Sequence, residues 1–213
     1  MESGASAWVL NIVQMGFRLH WISEKPSLAR FPLKFPIPFN KEAVKVLDSE
    51  VSALLRKRAI VEVIKDTSPG FYSRLFTIPK ANGGFRPILD LSPLNKCLAK
   101  VPFKMETANS IRLSIRPGDW AVSIDLTDAY FHVGIYPADQ KWLRFHWQGK
   151  SYQFQVLPFG LSQSPWVFTR IVKVVVQWAR VQGIRFHAYL DDWLVLAASQ
   201  DICLQHLSKS WFK

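Results

Sequence analysis

A chain of 213 residues, 49% hydrophobic and 14% aromatic, has the material for a substantial core, which excludes a disordered tail. Its 27 lysines and arginines against 16 aspartates and glutamates leave a formal charge of +11 at pH 7, a balance that points to a polyanionic partner, nucleic acid before an acidic membrane surface. Only Cys97 and Cys203 occur, far apart and outside any C-x-x-C spacing; that excludes a disulfide framework and a zinc site and suits a reducing compartment.

The first 38 residues mix aromatic and basic side chains and end in the proline-rich Phe31-Pro32-Leu33-Lys34-Phe35-Pro36-Ile37-Pro38, the pattern of an extended arm lying on a folded body. Within them the apolar run Ala7 to Met15 is broken by Asn11 and Gln14, has no basic region before it and is too short to span a bilayer. Neither a signal peptide nor a transmembrane segment is expected, and the protein is expected inside the cell, off the membrane. From Asn40, a candidate N-cap, Val44, Leu47, Val51, Leu54 and Leu55 fall on one face of a helix that ends in Arg56-Lys57-Arg58. Ile60 to Ile64 reads as a short strand and Ser68-Pro69-Gly70 as a turn. Leu75 to Lys80 and Phe85 to Asp90 then flank Ala81-Asn82-Gly83-Gly84, a hairpin signal with an Asn-Gly turn. Lys80 and Arg86 lie on either side of its tip, where both cations can face one ligand.

A short helix around Ile111 stops at Arg116-Pro117-Gly118, and Trp120 to Leu126 reads as a strand carrying Asp125 near its end. Lys141 to Trp147 and Tyr152 to Val156 flank Gln148-Gly149-Lys150, a second hairpin. Ser164 and Pro165 suit the N-cap and first position of a helix whose apolar stripe is Val167, Phe168, Ile171, Val175, Trp178 and Val181, with Gly183 as its stop. Ile184 to Tyr189 alternates as a half-buried strand, meets Asp191 and Asp192, and resumes as Leu194-Val195-Leu196. This succession of helices and hairpins, without internal repeat, predicts an α+β body with an antiparallel sheet.

Adjacent ionised carboxylates repel, so Asp191 and Asp192 need either solvent, as the polar tip of a hairpin, or a cation. Asp125 is a third carboxylate borne on a strand. If the two strands are neighbours, the trio makes an oxygen-rich site suited to Mg²⁺, which takes carboxylates, water and substrate phosphates. Two such ions about 3.5–4 Å apart can stabilise the attacking and leaving oxygens of an in-line phosphoryl displacement.

Four segments in order resemble the polymerase motifs of the reverse transcriptase family. They are Leu75 to Lys80 with Arg86-Pro87-Ile88-Leu89-Asp90-Leu91 and Leu94-Asn95-Lys96; Asp125-Leu126-Thr127-Asp128-Ala129-Tyr130-Phe131; Leu157-Pro158-Phe159-Gly160-Leu161 with Ser164-Pro165; and Tyr189-Leu190-Asp191-Asp192. The fuller strings Gly118 to Asp125 and Tyr189 to Leu194 look most like retrotransposon enzymes of the DIRS-like, tyrosine-recombinase class. The resemblance implies an RNA-directed DNA polymerase with the fingers and palm of a right hand, the palm an antiparallel sheet packed on helices. On this reading 1–38 is the arm, 39–118 the fingers with the start of the palm, 119–200 the palm with a fingers return segment, and 201–213 the start of the region leading to a thumb. The thumb itself is expected to be missing, and thumb and ribonuclease H domains are expected downstream in the full-length element.

The resemblance also implies roles. Asp125, Asp191 and Asp192 would be the catalytic carboxylates and, with the Leu126 carbonyl, the ligands of two Mg²⁺ ions, with Mn²⁺ as a substitute. Lys80 and Arg86 would hold the triphosphate of the incoming deoxynucleotide; Asp128, Ala129 and Tyr130 would lie under its sugar, Tyr130 as the gate against a 2′-hydroxyl. Phe159 and Gly160 would pack near nucleotide and template, and Tyr189 beside the primer end. The implied partners are deoxynucleotides and an RNA or DNA template with its primer, and no membrane. Phe159 stands where retroviral enzymes carry Gln, and Ser92 where many relatives carry a basic residue. Two other readings share these residues: a catalytically incompetent nucleic-acid-binding remnant of a retroelement, and an RNA-directed RNA polymerase.

Overall fold

The computed structural model describes residues 5–22, 24–32, 35–63 and 68–208. In chain order its helices are α1 (Ala7–Met15), α2 (Lys41–Arg56), α3 (Ser92–Asn95), α4 (Ala108–Arg112), α5 (Ser164–Val181) and α6 (Gln200–Ser208). Its strands are β1 (Ile60–Glu62), β2 (Tyr72–Pro79), β3 (Phe85–Asp90), β4 (Trp120–Asp125), β5 (Arg144–Trp147), β6 (Lys150–Phe154), β7 (Arg185–Tyr189) and β8 (Asp192–Ala197). The chain divides into two compact units: Asn11–Val101 with Tyr130–Ser164, and the chain up to Leu10 with Pro102–Ala129 and the chain from Pro165 onward. The expected end of the first strand at Ile64, Leu33-Lys34 of the proline-rich stretch and residues 209–213 lie outside the described residues.

The unit built on Asn11–Val101 and Tyr130–Ser164 contains a five-stranded sheet in the order β1-β6-β5-β2-β3. Its two hairpins were legible, but their union was not. A single parallel pairing, Tyr72 with Arg144 and Ser73 with Phe145, joins them, where an antiparallel sheet was expected. Gln148 and Gly149 close β5-β6 with φ of 45° and 79°, the left-handed pair of a type I′ turn. The β2-β3 connection differs from the expected Asn-Gly turn. The ladder ends at Pro79 opposite Phe85, the Lys80 N–H donates to the Gly84 carbonyl at 3.0 Å, and Gly83 and Gly84 carry the positive φ, because glycine adopts that region without a Cβ penalty.

Asn40 caps α2 as expected, its Oδ1 accepting from Glu42 N at 2.8 Å. The buried stripe is Ala43, Leu47, Val51 and Leu54; Leu55 is exposed, so the face is rotated toward the small Ala43 instead of Val44. The fully buried Leu47 contributes about 1.5–3 kcal/mol of transfer free energy. Buried Gln163 accepts the His20 N–H at 3.1 Å and donates to the carbonyls of His20 (2.8 Å) and Ala99 (3.0 Å), tying three segments distant in sequence. Ala7–Met15 is helical within the arm that was expected to be extended; beyond it, Phe17, Trp21 and Ala29 make isolated bridges.

In the other unit β4, β8 and β7 form an antiparallel sheet in that order, as expected for the carboxylate-bearing strands. Helix α5 buries Trp166, Val167, Phe168, Val172, Val176 and Ala179, whereas Trp178 and Val181 of the expected stripe are exposed. The run Val174-Val175-Val176 fits either face, and small Ala179 sets the buried one. No helix among the described residues is long and apolar enough to cross a membrane.

Arg185 at the start of β7 grips Asp119 with both terminal nitrogens at 2.5 Å, and Asp119 also accepts the Arg116 N–H at 2.7 Å. The Arg185 guanidinium first, and the Arg116 amide with it, hold the Asp119 carboxyl down at about 2 against an ordinary 3.8. A depressed carboxyl stabilises the fold above its unfolded-state value and loses that contribution as pH falls through its folded-state value. Thermal midpoints are therefore expected to fall between about pH 4 and pH 2 partly through this pair. In Asp119→Asn the fall over that window should be shallower; an unchanged slope in a calorimetric pH series would exclude the pair as its source.

Candidate active site

Three carboxylates sit at one end of the β4-β8-β7 sheet. Asp125 closes β4, Asp192 opens β8, and the two are directly opposed in the ladder. The Leu126 N–H donates to the Asp191 carbonyl at 2.9 Å, so Leu126 and Asp191 form the hydrogen-bonded step and Asp125 with Asp192 the neighbouring non-hydrogen-bonded one. That class brings side chains closest, with Cβ atoms about 4.5–5.5 Å apart on a shared face. Both aspartates are exposed, and no described residue pairs with Asp125, Asp191 or Asp192 through its side chain. Like charges in direct opposition destabilise a sheet, and among the described residues no cation offsets them.

Asp191 belongs to the turn. Tyr189 pairs with Asp192, so only Leu190 and Asp191 connect β7 to β8. Leu190 has φ +52°, a left-handed conformation that costs a bulky residue about 1–3 kcal/mol. The Trp193 indole N–H donates to the Leu190 carbonyl at 3.0 Å, and its ring meets Phe186 edge-on at 5.3 Å. Trp193 was not singled out from the sequence, because nothing in the residues themselves marks Leu190 as left-handed. Asp128, beyond β4, is also left-handed, at φ +54°, before a 3-10 turn at Ala129–His132.

Beside the turn, His187 of β7 bridges Ser114 Oγ and Glu106 Oε2, each at 2.7 Å. Arg180 pairs with Glu106 and donates to the Phe186 carbonyl from Nε at 3.2 Å. These bonds pin β7 to the segment before β4.

The donor set fits a hard divalent cation: carboxylate oxygens, solvent-accessible, two of them opposed in the ladder, with no cation of a described residue paired to them. It is not a preformed cage. Among the described residues no group of three His, Cys, Asp or Glu side chains is placed to hold a metal ion, because strand pairing brings together Asp125 and Asp192 while Asp191 is oriented by the turn. An ion that keeps waters and takes substrate phosphates needs only one or two protein carboxylates.

The remaining candidates lie in the unit containing the five-stranded sheet. Arg86 is opposite Ile78 near the end of the ladder and Lys80 follows Pro79 at the end of β2, so both exposed cations lie near the tip of the hairpin. The ring of buried Tyr130 lies 5.0 Å from that of Phe159, which is half-exposed and also meets Phe131 at 5.5 Å. Gly160 has φ +87°; its carbonyl accepts from Asn95 Nδ2 at 2.8 Å, while Asn95 Oδ1 accepts from Ser162 N at 2.8 Å. Asn95 thus clamps the loop carrying Phe159 and Gly160, a role hidden inside the motif Leu94-Asn95-Lys96.

The chain is similar to the Pro-Pol polyprotein of feline foamy virus, 31% identical over 134 residues that cover 62% of this chain and 11% of that protein. It is similar to the enzymatic polyprotein of Cestrum yellow leaf curling virus, 27% identical over 81% of this chain and 26% of the relative. A Schizosaccharomyces pombe relative, the Transposon Tf2-3 polyprotein, is 21% identical over 84% of this chain and 13% of its own length. The chain thus spans about a quarter or less of these relatives. Its fold matches the foamy viral protease-reverse transcriptase solved in complex with double-stranded DNA, with a TM-score of 0.68 and 23% identity over 90% of this chain and 38% of that one. Residues 78–211, more than half the chain, match the family described as reverse transcriptase (RNA-dependent DNA polymerase), and the chain belongs to that family.

Proposed function

We propose that this chain is the fingers and palm of a retroelement RNA-directed DNA polymerase, adding deoxynucleotides to a primer 3′-hydroxyl on an RNA or DNA template. The observation that carries the reading is the opposition of Asp125 and Asp192 in register, with Asp191 in the adjoining turn and no cation of a described residue paired with them. Asp125, Asp191 and Asp192, with the Leu126 carbonyl, are the groups that would hold two Mg²⁺ ions, or Mn²⁺ in their place. When bound, such ions stabilise charge on the attacking and leaving oxygens and favour ionisation of the attacking hydroxyl. Lys80 and Arg86 neutralise the triphosphate of the nucleotide, the ammonium as a point charge and the guanidinium as a fork. Asp128, Ala129 and Tyr130 accommodate the sugar, Phe159 and Gly160 pack near nucleotide and template, and half-exposed Tyr189 borders the primer end.

Within this reading 39–118 contributes the fingers and 119–200 the palm with a fingers return segment. Assignment to the DIRS-like retrotransposons rests on the strings Gly118 to Asp125 and Tyr189 to Leu194. The test of activity is primer extension on an RNA template. Salt-dependent RNA binding without incorporation, also when thumb and ribonuclease H regions are supplied, would favour a binding remnant instead.

Tyr130 separates DNA from RNA synthesis. Tyr130→Ala is expected to raise ribonucleotide relative to deoxynucleotide incorporation roughly 10²-fold, whereas Tyr130→Phe, which keeps the ring against Phe159, should retain discrimination. Equal sugar preference in wild type and Tyr130→Ala would remove the gate.

A further inference from the structure

Asp191 differs from the other two carboxylates in having no strand to orient it. Its position depends on two peptide planes. The one after it is held from β4, where the Leu126 N–H donates to the Asp191 carbonyl at 2.9 Å. The one before it carries the Leu190 carbonyl, and the group that meets this oxygen is the Trp193 indole N–H at 3.0 Å. The donor is itself fixed. Trp193 is 9% exposed, lies edge-on to Phe186 at 5.3 Å with an interplanar angle of 75°, and faces the small Ala188 across the ladder.

The need for this bond comes from Leu190. At φ +52° a leucine is strained, and a rotation to negative φ would turn the Leu190–Asp191 peptide and carry the Asp191 side chain with it. The indole bond opposes that rotation because it accepts only one orientation of the Leu190 carbonyl.

We propose that Trp193 is a positioning residue for Asp191: its indole N–H locks the Leu190–Asp191 peptide and so fixes the direction in which the turn presents the Asp191 carboxylate, next in the chain to the opposed pair Asp125 and Asp192. The inference rests on the reading of these carboxylates as the metal-binding centre of a polymerase. Trp193 acts through Leu190 and needs no contact with substrate.

The test is a double-mutant cycle on the full chain with two readouts, Mn²⁺ affinity by water-proton relaxation and steady-state primer extension. Trp193→Phe keeps a ring against Phe186 and removes the donor. It is expected to raise the Mn²⁺ concentration for half-saturation about 10-fold and to lower kcat with little change in the deoxynucleotide KM. In Leu190→Gly the left-handed conformation carries no strain, so adding Trp193→Phe there should shift half-saturation less than about 2-fold. A benzothienylalanine at position 193, with sulfur in place of the N–H and the indole shape retained, should reproduce Trp193→Phe and separates loss of the donor from loss of packing. Unchanged Mn²⁺ affinity in both donor-free variants, or an equal loss in the leucine and glycine backgrounds, would overturn the role of Trp193 and leave the polymerase reading standing. A wild-type chain that neither binds Mn²⁺ nor extends a primer would overturn the polymerase reading and this inference with it.

Discussion

Asp191→Asn is expected to abolish primer extension, a loss of at least about 10²-fold, while leaving the thermal midpoint unchanged or raised by about 1–3 °C. The two effects have one cause. Three carboxylates are concentrated where β4 ends and β7 turns into β8, with Asp125 and Asp192 in the closest class of cross-strand pair and no cation of a described residue beside them. Such a cluster is unfavourable for the empty fold, and the amide of Asn is nearly the same size as the carboxylate while carrying no charge. Asp125→Asn and Asp192→Asn should behave alike. Mg²⁺ should raise the midpoint of the wild type and raise that of each variant less, since a ligand of the native state stabilises it by mass action. Equal incorporation by wild type and Asp191→Asn would end the assignment of these residues to catalysis. A midpoint falling by several degrees in all three variants would show that the carboxylates serve the fold.

Gln163→Leu should be the most costly single change to stability among the buried polar residues, lowering it by about 3 kcal/mol, or roughly 6–12 °C in midpoint. The side chain is 2% exposed and each of its amide groups is used. Its oxygen accepts the His20 N–H, and its nitrogen donates to the His20 and Ala99 carbonyls. The His20 carbonyl keeps a second donor in the Ala99 N–H at 2.8 Å, so the penalty falls on the His20 N–H and the Ala99 carbonyl. Leucine matches the volume and supplies neither partner. Gln163→Glu should be no milder, because a carboxylate cannot donate to either carbonyl. Thermal or urea denaturation measures both, and a shift below about 2 °C in both variants would mean that solvent or rearrangement replaces these bonds.

Elements with strong local signals were legible in the sequence. Asn40 announced the start of α2, Gln148-Gly149 the second hairpin, and Gly183 the end of α5, whereas Ser164 is the first residue of α5 and its hydroxyl donates to the Pro158 carbonyl where an N-cap was expected. The carboxylate end of the β4-β8-β7 sheet was legible for a different reason: Asp is costly inside an apolar strand, so Asp125 and Asp192 marked themselves. What could not be read was set by contacts between distant segments. The parallel step from Tyr72 to Arg144 has no local signature, since either hairpin alone satisfies its own alternation. The valine run of α5 fits more than one helical face, and Val44 against Ala43 in α2 was decided by how closely neighbouring elements approach. The turn geometry at Leu190 was hidden because leucine is not a residue from which a left-handed conformation is expected, and with it the part played by Trp193.

The order of segments carries a consequence for how the chain reaches this state. β1 finds its partner β6 through Ile60 and Phe154, and β4 finds β8 through Asp125 and Asp192, so each compact unit is interrupted by residues of the other. Neither unit can be cut out as one continuous piece. During synthesis β4 emerges before its partner β8 exists, and it must wait unpaired until the hairpin bearing Asp191 and Asp192 has left the ribosome. Pairings of such long sequence separation are slow to form, so the strand holding Asp125 cannot obtain its neighbour from local folding alone.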